Sequence, residues 1–167
     1  MRLEGYVLKK YLVFAILFVY LVLIFLLSNQ SGWLSNSLSS RIVERAGEYI
    51  SLPGFIHNIL GTPGRNFNYL FRKLSHFMEY AVLSVLMYKV AIIFVKRVKA
   101  ALAASLVMCF TAAVFDEFHQ AFVPGRTSLV SDILIDLSGS AAGLLFLYIC
   151  KYLVSRVKSF DNRSAKR

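Results

Sequence analysis

The chain has 167 residues, of which 57% are apolar or aromatic and 17% are charged, and its formal net charge is +10. Soluble domains usually contain about 25% charged residues, so this composition excludes a disordered tail, a fibrous repeat and almost any soluble enzyme. Cys109 and Cys150 both lie in apolar runs. Two such cysteines provide neither a disulfide framework nor a zinc motif.

Four apolar segments are long enough to cross a bilayer, which requires roughly 17–25 residues. They cover residues 7–27, 74–95, 100–118 and 130–152. The sequence therefore predicts an all-α integral membrane bundle of four transmembrane helices. We expect one membrane domain over residues 1–167, with its core at about 7–152 and a basic cytoplasmic tail at 153–167.

The segment between the first two spans is predicted to form an amphipathic helix in the first extracellular loop. Apolar residues recur there at helical spacing, and charged residues occupy the other faces, so the helix is expected to lie in the membrane interface. The apolar positions are Leu34, Leu38, Ile42, Ala46 and Tyr49. Pro53-Gly54 then breaks the chain.

The distribution of basic residues predicts the orientation of the spans. Thirteen of the nineteen lysines and arginines lie near the two termini or around the short connection between the second and third spans. Because cytoplasmic segments carry an excess of Lys and Arg, both termini are predicted to be cytoplasmic. This pattern also accounts for the high net charge, so membrane lipids are the expected partners and nucleic acid is not.

Polar residues gather at one depth of the predicted spans. A carboxylate at the centre of a span costs about 2.5–3.5 kcal/mol, so it needs a partner, a water-filled cavity or a proton. With a rise of about 1.5 Å per residue, seven ionisable side chains fall in one layer just beneath the outer surface. They are His76, Glu79, Asp116, Glu117, His119, Asp132 and Asp136.

The faces of the helices indicate that this layer points inward. Asp132 and Asp136 share a stripe with Gly139 and Gly143, a Gly-x-x-x-Gly pattern that lets a neighbouring helix approach closely. We therefore expect spans two to four to close around an outward-facing polar pocket. The Pro124-Gly125 turn is expected to fold the following arginine, Arg126, back toward its mouth.

Three blocks of sequence carry a resemblance to a known family. They are Arg72-Lys73-Leu74-Ser75-His76-Phe77-Met78-Glu79-Tyr80, then Asp116-Glu117-Phe118-His119-Gln120-Ala121-Phe122-Val123-Pro124-Gly125-Arg126, and Ser131-Asp132 through Asp136 to Gly139 and Gly143. With these blocks, residues 28–145 resemble the VanZ-like membrane proteins. This chain has Asp136 where the family often has asparagine.

The resemblance implies a multi-pass protein of the bacterial plasma membrane with a role in the cell envelope. Some VanZ-like proteins raise resistance to teicoplanin and other lipid-tailed glycopeptides without making an altered peptidoglycan precursor. A lipid-linked cell-wall precursor or a lipoglycopeptide would then be a partner of this chain.

Three interpretations of the polar layer remain open. It could be a structural network, with pairs such as His76–Glu79 and Arg126–Asp116. It could bind a lipid or cell-wall ligand through Lys73, His76, Glu79, Tyr80, Asp116, Glu117, Gln120, Arg126, Asp132 and Asp136. It could also be the site of a membrane-embedded hydrolase or transferase acting on a lipid-linked substrate.

The enzyme interpretation has its own set of candidate side chains. Carboxylates and imidazoles can serve as acid and base, and they suit divalent cations such as Mn²⁺, Mg²⁺ or Zn²⁺. The candidates are Asp116, Glu117, His119, His76 and Glu79. A divalent cation is thus the one cofactor that the residues suggest.

Overall fold

The structure is a computed structural model that describes residues 2–33, 37–38, 41, 45 and 65–164. Its long helices are α1 (Arg2–Ser28), α2 (Arg65–Val95), α3 (Val98–Gln120) and α4 (Val130–Ser164). Each is long and apolar enough to cross a membrane, which confirms the predicted bundle of four such helices. The predicted interfacial helix lies almost entirely outside the described residues.

All four helices extend beyond their predicted spans, and α2 and α4 do so farthest. Helix α2 begins at Arg65 rather than at residue 74, directly after the helix-breaking sequence Pro63-Gly64. Helix α4 passes residue 152 and continues to Ser164. No Gly or Pro occurs between residues 153 and 164, so nothing in the sequence stops the helix where its apolar character ends.

Helices α2, α3 and α4 pack against one another, with the closest association between α2 and α4, while α1 lies against α2 and touches α3 less. Gly139 and Gly143 on α4 permit this association. A Cβ atom at either position would overlap a backbone carbonyl oxygen of α2, that of Phe77 or Ala81 respectively. The predicted Gly-x-x-x-Gly contact is therefore present, and its neighbour is α2.

The bundle is apolar outside and polar at part of its inside. Large side chains such as Phe18 and Phe146 are each 68% exposed, whereas Asp136 is fully buried. This distribution is the reverse of that in a soluble bundle and suits a lipid surrounding, because lipid solvates apolar side chains and does not solvate carboxylates.

The loop between α3 and α4 closes one end of the bundle, which we call the polar end. Gly125 adopts a φ of 73°, a conformation that favours glycine, and the Arg126 N–H donates to the Val123 carbonyl oxygen at 3.1 Å. The Gly32 N–H donates to the Pro124 carbonyl oxygen, also at 3.1 Å. The segment after α1 is thereby held against this loop.

Candidate functional site

Three side chains from three helices meet inside the polar end. His76 on α2, Asp116 on α3 and Asp136 on α4 each provide an atom within 4.8 Å of the others, and all three residues are buried. His76 Nδ1 lies 3.4 Å from Asp136 Oδ1, which is longer than a well-formed N–H···O hydrogen bond. We call these three residues the His–Asp–Asp cluster.

The helical repeat of each element explains why these side chains point inward. On α4, Asp132, Asp136 and Ser140 recur every four residues and all are buried. On α2, His76, Tyr80 and Leu83 form the corresponding buried stripe. Because positions three and four residues apart share a helix face, each acidic or imidazole group follows the packing stripe into the bundle.

A second connection between α2 and α4 lies nearer the end of the bundle. The Lys73 ammonium forms an ion pair with Asp132, and both residues are buried. The Ser131 hydroxyl also donates to Asp132 Oδ1 at 3.1 Å. Lys73 is therefore committed to one carboxylate and leaves the carboxylates of the cluster without this cation.

Arg126 reaches the cluster indirectly. One of its guanidinium nitrogens donates to Gln120 Oε1 at 3.2 Å, and Gln120 Nε2 in turn donates to Asp116 Oδ2 at 2.8 Å. The same guanidinium donates to the carbonyl oxygens of Leu27 and Gln30, both at 3.1 Å. Arg126 thus joins the end of α1 to the end of α3.

Burial, followed by repulsion from Arg72, lowers the pKa of the Arg126 guanidinium. An arginine remains protonated in proteins even so. The positive charge therefore persists beside the polar end, although its hydrogen bonds go to neutral oxygens.

Glu117 organises the start of α4. Its Oε2 accepts the Leu129 N–H at 2.9 Å, whereas its buried Oε1 has no hydrogen-bond partner among the described residues. Glu117 lies outside the His–Asp–Asp cluster. Its side-chain hydrogen bond is with the backbone of Leu129, directly before α4.

Glu79 and Tyr80 border the cluster on α2. Glu79 is half-buried and interacts electrostatically with His76, Asp116 and Asp136. The buried Tyr80 hydroxyl makes no hydrogen bond to any described residue. The Glu79 carbonyl oxygen accepts the Tyr20 hydroxyl at 3.0 Å, which fastens α1 to α2 beside the cluster.

An apolar groove of about 450 Å³ leads to the cluster between α1, α2 and α3. Eight of its eleven lining residues are apolar, among them Leu21, Phe25 and Phe115. Its polar lining residues are Tyr80, Asp116 and His119, so the groove ends against one carboxylate of the cluster. Phe115 and Phe118 are 68% and 64% exposed, and the groove therefore opens on the lipid-facing surface.

His119 belongs to the groove rather than to the cluster. Its Nε2 lies 3.3 Å from Asn29 Oδ1, and its ring lies 4.8 Å from that of Phe25. The sequence grouped His119 with His76 because both fall at one depth, but His76 joins the cluster whereas His119 contacts Asn29 and Phe25. The depth of a side chain in the membrane follows from its position along the helix, whereas the neighbours that it meets depend on how the helices pack.

Two details differ from the sequence-based expectation. The ion pairs of the described residues are Lys73–Asp132 and His76–Asp136, not His76–Glu79 and Arg126–Asp116. The pocket also involves α1, through Leu21, whereas only spans two to four were expected. Residues 11–27 of α1 include no charged side chain, so their sequence has no polar face that would indicate a pocket-facing stripe.

A sequence model of the family described as VanZ/LLP1 matches residues 12–151. This range contains every residue of the cluster, the groove and the loop between α3 and α4. No curated protein and no solved structure matches the chain.

Proposed function

The chain belongs to the VanZ/LLP1 family, and from this membership and the geometry of the site we propose that it binds an amphiphilic, lipid-linked ligand of the bacterial cell envelope. The acyl chain of this ligand lies in the groove, and its polar head lies at the His–Asp–Asp cluster. Through this binding the protein contributes to resistance against teicoplanin and related lipoglycopeptides.

The observation that carries the proposal is the continuity of an apolar groove with a buried polar cluster. Binding sites for small molecules are usually clefts of roughly 300–1,000 Å³ with apolar walls and a few polar groups. The groove has a volume of about 450 Å³, and Asp116 belongs both to its lining and to the cluster. Its opening beside exposed Phe115 and Phe118 suits a ligand that enters sideways from the bilayer.

We propose in addition that the polar end faces the outside of the plasma membrane and that both termini are cytoplasmic. The excess of basic residues at the termini and around Lys96 and Arg97 supports this orientation. An outward site would reach cell-wall precursors and antibiotics without transport. Alkaline phosphatase fused after Ser164 is expected to be inactive, whereas the same enzyme inserted after Thr127 is expected to be active; the reverse pattern refutes the orientation.

The binding proposal is tested by filling the groove. Ala112 lines the groove and is half-buried, whereas Ala103 on the same helix is exposed and lies outside the groove. We expect Ala112→Phe to abolish labelling of the groove peptides of the purified protein by a phospholipid that carries a diazirine in its acyl chain. Ala103→Phe adds the same ring elsewhere and is expected to leave the labelling of groove peptides unchanged.

The resistance proposal is tested in cells. A teicoplanin-sensitive Gram-positive host expressing the wild-type chain is expected to tolerate more teicoplanin than the host with an empty vector. At matched membrane abundance, Ala112→Phe and Asp116→Asn are expected to lose this protection, and Ala103→Phe is expected to keep it. Equal protection by the wild type and all three variants would show that resistance does not depend on the groove, and it would refute this part of the proposal.

A membrane-embedded hydrolase or transferase acting on a lipid-linked substrate is the second candidate function. The buried His76 beside Asp136 favours it, because a carboxylate can orient an imidazole for acid–base work. Asp116 would then bring the cluster into contact with a substrate in the groove. Turnover of a lipid-linked substrate that is lost in His76→Gln, while labelling by the diazirine lipid persists, would favour catalysis over binding alone.

A further inference from the structure

We propose that His76, Asp116 and Asp136 form a binding site for a divalent transition-metal ion such as zinc. The inference deepens the proposed function and rests on it for the identity of the ligand, but the metal site itself requires no lipid. Each residue comes from a different helix, which is how metal sites in the cores of helix bundles are built.

The first observation is the spacing of the donor atoms. In a tetrahedral zinc site with metal–ligand bonds of about 2.1 Å, two ligand atoms lie about 3.4 Å apart. His76 Nδ1 and Asp136 Oδ1 are separated by 3.4 Å, and all three residues provide an atom within 4.8 Å of the others. A hydrogen-bonded pair would be closer, so the separation fits two ligands of one ion better than a direct bond.

The second observation is the set of polar atoms without partners. Asp136 is fully buried, and neither of its carboxylate oxygens has a hydrogen-bond partner among the described residues. His76 Nδ1 and the Tyr80 hydroxyl are likewise buried without one. Of the six buried side-chain atoms without a partner in the described residues, four belong to His76, Tyr80 and Asp136, and the other two are Ser28 Oγ and Glu117 Oε1. Buried polar atoms in proteins nearly always have partners, so both free oxygens of one fully buried carboxylate point to a ligand at the cluster.

The third observation is the local charge. The carboxylates of Asp116, Asp136 and Glu79 all interact electrostatically with the His76 imidazole. Within the described part of the chain, no lysine or arginine forms an ion pair with any of these three carboxylates. Lys73 pairs with Asp132, and Arg126 donates its hydrogen bonds to neutral oxygens. The Arg126 charge acts on Asp116 and Glu79 without forming an ion pair, so it compensates the acidic cluster only in part. A divalent cation would balance this negative charge inside the bundle, where uncompensated charge is strongly unfavourable.

The three protein ligands leave a further coordination position for the ligand of the groove. Catalytic zinc sites keep such a position, and structural sites do not. Asp116 and Tyr80 both line the groove, so an ion at the cluster would be within reach of a head group lying there. A cation also explains how an acidic cluster could hold a phosphate-bearing head group, because the ion lies between the two sets of negative oxygens.

The test is a zinc titration of the purified full-length protein in nanodiscs made of a zwitterionic lipid, after removal of metal with a chelator. We expect the wild type to bind one Zn²⁺ per chain. Loss of groups that merely orient metal ligands lowers affinity about 10–100-fold, so His76→Gln and Asp136→Asn are each expected to weaken zinc binding by about 100-fold or more. Parallel titrations with Mn²⁺ and Mg²⁺ are expected to give weaker binding than zinc.

Cys150→Ser is the control variant, because it removes a half-exposed thiol that could bind zinc adventitiously. Its zinc affinity is expected to equal that of the wild type. Replacing zinc by Co²⁺ in the wild type provides a readout that does not depend on the variants, because tetrahedral cobalt with nitrogen and oxygen ligands absorbs strongly in the visible range.

Absence of zinc binding and of the cobalt spectrum in the wild type would overturn the proposal. Zinc binding that persists unchanged in both His76→Gln and Asp136→Asn would overturn it as well. If one of these variants fails to fold, the other decides, because each removes a ligand of the same ion. Zinc binding without lipid labelling of the groove would refute the proposed function and support the metal site. Lipid labelling without zinc binding would refute the metal site and support the proposed function.

Discussion

The Lys73 ammonium on α2 and the Asp132 carboxylate on α4 form an ion pair in which both residues are buried. Breaking a buried pair by removing one partner is destabilising by about 3–5 kcal/mol, because the other charge stays buried and uncompensated. We therefore expect Lys73→Met to lower the free energy of unfolding by about this amount. Reversible unfolding in mixed micelles with increasing dodecyl sulfate measures it.

The double variant Lys73→Met with Asp132→Leu distinguishes the contribution of the ion pair to stability from that of the other contacts of the two side chains. Replacing both charges by apolar groups of similar size is often neutral, so the double variant is expected to be more stable than Lys73→Met alone. A double variant less stable than the single one would show that Asp132 contributes through contacts other than this ion pair.

The close contact of α2 and α4 depends on Gly139. A Cβ atom there would overlap the Phe77 carbonyl oxygen, so Gly139→Ala must push the helices apart. Overpacking of this kind costs about 1–3 kcal/mol, which we expect to observe as a lower unfolding midpoint. Gly5→Ala is the matched control, because no atom lies within 4 Å of its added Cβ. A midpoint for Gly139→Ala equal to that of Gly5→Ala would contradict the packing.

Arg126 is expected to hold the polar end together through its side-chain contacts with Leu27, Gln30 and Gln120. Arg126→Ala removes all three hydrogen bonds, so the backbone N–H of Gly32, which donates to Pro124, should exchange with solvent faster. Lysine at this position offers one point charge rather than a planar fork, and Arg126→Lys should restore the protection only in part.

Arg97→Ala serves as the control for these arginine variants, since Arg97 is exposed in the short connection between α2 and α3. Its effect on hydrogen exchange at Gly32 should be negligible. Normal exchange in Arg126→Ala would mean that the loop between α3 and α4 keeps its position without the guanidinium.

Tyr20 fastens α1 beside the groove. Its hydroxyl donates to the Glu79 carbonyl oxygen at 3.0 Å, and a hydrogen bond of this type contributes about 0.5–1.5 kcal/mol. Tyr20→Phe should lower the free energy of unfolding by about that amount and should weaken labelling by the diazirine lipid, because α1 forms one wall of the groove. Tyr11→Phe alters a 67% exposed ring of the same helix and should change neither quantity.

The sequence predicted the membrane bundle because the length of a span and the faces of a helix depend only on residues that are close together in the chain. Span length depends on uninterrupted runs of apolar residues, and the inward stripe of α4 follows from the four-residue spacing of Asp132 and Asp136. The same spacing, with Gly139 and Gly143, correctly predicted a close helix contact. The limits of α2 and α4 were less accurate, since charged residues can continue a helix beyond its apolar span.

The partner of each charge was decided by tertiary structure. Asp132 and Asp136 lie on one stripe of one helix, yet the first pairs with Lys73 and the second faces His76. Helix rotation and stagger determine which side chains meet across the bundle, and neither quantity is encoded in the periodicity of a single helix. The groove has the same origin. Residues 11–27 of α1 include no charged side chain, and only their packing against α2 and α3 makes Leu21 and Phe25 one wall of a groove that ends at Asp116.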